Sequence, residues 1–68
     1  MTDEDFIRKM NEGMQVKRTT LRSQWYGHTF DTRYNLDGKQ IYKLLNEGKI
    51  AYLTDKKLTA VLPKQLVG

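Results

Sequence analysis

Cysteine is missing from this 68-residue chain, and histidine occurs once, at His28. Disulfides are thereby excluded, and so is a structural zinc site built on the usual thiolate and imidazole ligands. Small domains often rely on such staples, so this one must depend on packing, on self-association or on a partner. Long apolar runs are also missing. The longest, Ile50–Leu53, is four residues, against the ~20 that span a bilayer as a helix. The first residues, Met1-Thr2-Asp3-Glu4-Asp5, are acidic where a secretory signal begins basic and turns apolar. A cytoplasmic protein without membrane contact is the expectation. The single proline, Pro63, and the lack of repeats or low-complexity tracts give no sign of a linker. A chain of this length buries one core, not two.

Catalytic groupings are equally sparse. The only serine, Ser23, lies five residues from His28, and Asp31 lies three beyond it. On an extended strand His28 and Asp31 point to opposite faces, so nothing brings a nucleophile, a base and its orienting acid together. The run Leu36-Asp37-Gly38-Lys39 has too little glycine for a phosphate-cradling loop, and Asp37 would repel an anion there. Asp3, Glu4 and Asp5 are consecutive and do not converge as hard-cation ligands on a helix; they suit its first turn instead. Neither an enzyme, nor a cofactor or metal, nor a small-molecule substrate is expected.

What the chain does have is patterned hydrophobicity and uneven charge. Residues 2–12 predict a helix capped by Thr2, with Phe6, Ile7 and Met10 on one face, Gly13 as its stop and Met14 folding back. Residues 14–23 and 25–34 predict two strands, the second alternating through Tyr26, His28, Phe30, Thr32 and Tyr34, with Phe30 in the core. Residues 37–47 predict a second helix, with Asp37 as N-cap, Gln40 as its capping-box partner and Ile41, Leu44 and Leu45 as the buried stripe. Residues 49–53 and 58–62 predict a hairpin with Leu53 opposite Leu58 and Ala51 opposite Ala60, apolar on both faces and ended by Pro63. The expected fold is α+β, in the order α-β-β-α-β-β, an antiparallel sheet with helices packed on one face.

Residues 1–12 hold four acids and two bases, a net −2, while residues 13–68 hold ten bases and four acids, a net +6. Between Gly13 and Phe30 no side chain is acidic. A field of that sign favours polyanions or acidic protein surfaces. Two functions follow from different features. The first is a non-catalytic regulatory or accessory module that binds another protein, or itself as a homodimer, through a sheet edge or an apolar face offering Met10, Met14, Ile50, Tyr52 and Val61. Short, cysteine-free and basic, the chain is similar in overall look to accessory proteins of bacteria and their phages, and an inhibitor of phage or mobile-element type is one expected form of this module. The second function is nucleic-acid binding by the basic, aromatic stretch 17–34. There Lys17, Arg18, Arg22 and Arg33 would contact phosphates, and Trp25 or Tyr26 would stack on bases.

Overall fold

Helix α1 (Asp3–Asn11) opens the chain. Thr2 stays extended and its hydroxyl accepts the Asp5 N–H at 3.1 Å, satisfying one donor that the first turn leaves open. Three acids in that turn and Arg8 and Lys9 in the last both suit the helix dipole. Gly13 leaves the helix at φ 113°, a conformation that a side chain would strain.

Helix α2 (Gly38–Asn46) starts from Asp37, whose carboxylate accepts the Lys39 N–H at 2.9 Å. The capping box expected of Gln40 does not form. Its amide donates instead to the Met1 carbonyl at 2.8 Å and to Asp3 Oδ1 at 3.0 Å, while Lys43 Nζ reaches Asp3 Oδ2 at 2.9 Å. These bonds tie the start of α1 to α2. The Gln40 hydrogen bond, then that of Lys43, holds the Asp3 carboxyl below its ordinary range.

The computed structural model describes residues 1–66. Its strands are β1 (Gln15–Lys17), β2 (Tyr26–His28), β3 (Arg33–Asn35), β4 (Ala51–Tyr52) and β5 (Thr59–Val61), followed by a single 3₁₀ turn at Pro63–Gln65. They form one sheet in the order β3-β2-β1-β5-β4, every neighbouring pair antiparallel. The fold is α+β, as the patterning predicts, with five strands where four were expected.

The additional strand arises because 25–34 is not continuous. Thr29 N–H donates to the Thr32 carbonyl at 2.9 Å, folding the segment into a β2–β3 hairpin with Phe30 at its tip. Phe30, expected in the core, is fully exposed. The first strand ends early as well. After Lys17 the chain turns, with Ser23 N–H donating to the Thr20 carbonyl at 3.1 Å, so 19–23 is loop. That break accounts for the alternation lost between Val16 and Leu21.

The last hairpin is shifted by one residue. Ala51 faces Val61 and Tyr52 faces Ala60, not Ala51 with Ala60. The extra loop residue is absorbed by Lys57 at φ 59°. A slip of one moves every side chain to the other face. Ile50 and Leu62 are therefore buried, with Tyr52 half-buried, while Leu53 is exposed. The hairpin buries one face rather than two.

Across the sheet, Tyr34, Gly27, Val16, Ala60 and Tyr52 form one row of paired positions, and this row faces the helices. Phe6 and Met10 of α1 and Ile41 and Leu44 of α2 pack against it with Met14, Trp25, Leu36, Ile50 and Leu62. Met10, Met14 and Ile50 are thus core residues and are lost as partner contacts. Gly27 is needed for closeness, since a Cβ there would stand 2.7 Å from Met14 Sδ. Truncating a fully buried Phe or Leu costs about 2–5 kcal/mol, much of the stability a domain this small can hold. After the 3₁₀ turn, Leu66 is exposed; Val67 and Gly68 lie outside the described residues.

Candidate nucleic-acid interface on the open sheet face

Successive residues of a strand point to opposite faces. With the row through Val16 turned inward, the neighbours along each strand turn outward. One outward row runs Asn35, Tyr26, Lys17, Thr59; the next runs Arg33, His28, Gln15. Ala51 and Val61, opposite each other, complete the face on β4 and β5. None of these residues carries a carboxylate. Gln15, His28, Arg33 and Asn35 are exposed, while Lys17, Tyr26, Thr59, Ala51 and Val61 are half-buried.

Arg33 and Tyr26 sit diagonally on β3 and β2, and the guanidinium carbon lies 4.0 Å from the tyrosine ring centroid. Cation–π attraction of about 0.5–1 kcal/mol holds the two planar groups together at an exposed site. The pair sets a positive charge over the tyrosine ring on this face. Among the described residues, neither Lys17 nor Arg33 forms an ion pair. Both cations keep their charge free for a ligand.

The other residues of the basic stretch divide. Arg22 is exposed in the loop between β1 and β2. Arg18 is 7% exposed and faces the helix side. Its Nε donates to the Lys57 carbonyl at 2.9 Å, its Nη1 to the Leu21 carbonyl at 3.2 Å, and its guanidinium lies 4.4 Å from the Trp25 ring centroid. A fork satisfied by two carbonyls and a ring is a structural clamp. Arg18 is therefore removed from the phosphate contacts. Trp25 is removed from the stacking residues for a similar reason, being 2% exposed and set against Tyr52 with centroids 6.3 Å apart. Its Nε1–H is buried without an acceptor, at a cost of about 1–3 kcal/mol that the ring's burial must offset.

Of the expected binding residues, the sheet brings Lys17, Tyr26 and Arg33 together and leaves Arg22 to one side. Three further residues join them that sequence reasoning did not place in the site: Gln15, His28 and Phe30. Period-two alternation on β2 already put His28 beside Tyr26 on one face; nothing in the sequence marked the turn that exposes Phe30.

Of the residues expected at a protein interface, Tyr52 and Val61 stay half-buried, on opposite faces of the sheet. A depression of about 530 Å³ beside α1 is lined by Asp3, Glu4, Ile7, Arg8, Asn11 and Lys49. Among the described residues no group of three histidine or acidic side chains is placed to hold a metal, and no helix is long and apolar enough to cross a membrane. Compared with protein-family models, curated proteins and solved structures, the chain has no significant match.

Proposed function

We propose that this protein binds single-stranded nucleic acid on the open face of its sheet, without catalysis. The observation that carries the reading is the juxtaposition of unpaired Lys17 and Arg33 with Tyr26 and His28 on a surface free of carboxylates. Cations that follow phosphates, beside planar groups on which bases stack, are the combination single strands require. A base can stack on the guanidinium plane of Arg33, whose other side lies on Tyr26. Contact with another protein is the alternative. It draws on the depression beside Ile7 and on Tyr52 and Val61, but three of its five expected residues are core.

The test is fluorescence anisotropy of labelled single-stranded DNA and RNA oligonucleotides titrated with protein over a range of salt. Phosphate contacts by Lys17 and Arg33 predict a log–log slope of about −1.4, since each neutralised phosphate of a single strand contributes about 0.7. Substituting Lys17→Gln or Arg33→Gln should flatten the slope by about one such increment each. Absence of binding at low salt would dispose of the reading, and capture of a protein from nuclease-treated lysate by the same bait would then favour the alternative.

A further inference from the structure

Phe30 is the most exposed large apolar side chain among the described residues, at 101% of its reference area. A single exposed apolar residue is ordinary on a protein surface. What distinguishes Phe30 is where it stands. The β2–β3 turn is braced by Thr29, whose N–H and hydroxyl donate to the Thr32 carbonyl at 2.9 and 3.2 Å. The ring therefore projects from a fixed tip. Beside it lies a depression of about 420 Å³ lined by Glu12, Gly13, Gln15, His28, Thr29 and Phe30 itself. His28 and Gln15 are opposite each other in the sheet and belong to the open face, so the depression continues the face of Lys17, Tyr26 and Arg33.

Building on the single-strand reading, we infer that this depression holds one unpaired nucleobase, stacked on Phe30 beside the His28 imidazole. Aromatic walls accept the flat faces of a base, and the Gln15 amide supplies both a donor and an acceptor for its polar edge. Glu12 decides which part of the strand enters. Its carboxylate repels a phosphate and accepts N–H groups of a base. The phosphates lie along Lys17 and Arg33, and the strand ends its path over the sheet by turning a base into the tip. A base inside a duplex is stacked on both sides and cannot enter without leaving its pair.

The experiment compares wild type, Phe30→Ala and Phe30→Trp on one labelled single strand and on the corresponding duplex, at fixed salt. Phe30→Ala should weaken single-strand binding by about tenfold, within the range found for loss of one base–aromatic stack. Duplex affinity and the salt slope should be unchanged, and Phe30→Trp should keep wild-type affinity. Because the ring touches no core residue, the thermal midpoint should not move. Equal single-strand affinity of Phe30→Ala and wild type would overturn the inference while leaving the sheet-face reading intact. Equal losses on single strand and duplex would do the same. A wild-type protein that binds neither would end both.

Discussion

Arg18 and Lys17 are adjacent in the chain and end on opposite sides of the sheet. Their charges are equal, but only Lys17 is offered to solvent. Arg18 is held by two carbonyls and the Trp25 ring. Arg18→Ala should therefore cost about 2 kcal/mol, because two part-buried charge-assisted hydrogen bonds and the contact with the Trp25 ring are lost. At this chain length that lowers the thermal midpoint by about 10 °C, measurable by circular dichroism. The folded protein, assayed well below its midpoint, should still bind oligonucleotide as wild type does. Arg18→Lys should recover little, since an ammonium cannot reproduce the planar fork. A loss of affinity in folded Arg18→Ala equal to that of Lys17→Gln would show that burial does not separate the two residues. The separation is invisible to composition, where both count as cations of one basic stretch; only the register of β1 distinguishes them.

At the scale of elements, the helices were legible and the turns between strands were not. Thr2, Asp37 and Gly13 are local signals acting on their own backbone, so sequence and structure agree on both helices to within about two residues at each end. The turns at Thr29–Thr32 and Thr54–Lys57 lack the Asn-Gly or Gly-rich pairs that announce a hairpin. The first therefore reads as continuous strand, although the turn there exposes Phe30. The second reads one residue short, because nothing in the sequence marks Lys57 for a left-handed backbone. That conformation costs a non-glycine residue about 1–2 kcal/mol. Lys57→Gly should relieve it, less the added freedom of glycine in the unfolded chain and the lost contact of Lys57 Nζ with the Tyr52 ring at 5.8 Å. A net gain of about 0.5 kcal/mol is expected, raising the thermal midpoint by about 3 °C. The carbonyl that Arg18 uses remains in place in this variant. A lowered midpoint would mean that the turn does not need the left-handed residue and that the hairpin register is different.

Over the whole molecule, the acids follow the layers, while cations stand on both, Arg8, Lys9, Lys39 and Lys43 on the helices and Lys17 and Arg33 on the strands. Asp3, Glu4, Asp5, Glu12, Asp37 and Glu47 belong to the helices and their caps, Asp31 and Asp55 to loops, and no strand carries an acid. The sequence shows only the ingredients of this separation, an acidic start and a basic remainder. It becomes a separation of faces because α1 packs beneath the sheet, leaving Lys17 and Arg33 on the side away from the helix. Net charge and its placement can therefore be tested against each other. Lys17→Gln with Arg33→Gln and Lys39→Gln with Lys64→Gln both lower the formal charge from +4 by two units. Lys39 and Lys64 are exposed on α2 and the 3₁₀ turn, outside the open face. If binding were attraction of a basic protein to any polyanion, the pairs would lose affinity equally, since a long-range field depends mainly on total charge. If strand phosphates lie on the sheet, the first pair should flatten the salt slope by about 1.4, two increments of 0.7, and the second should leave it near the wild-type value. Anisotropy titrations of the two double variants at matched salt decide between them, and equal slopes would place the strand elsewhere than on the sheet.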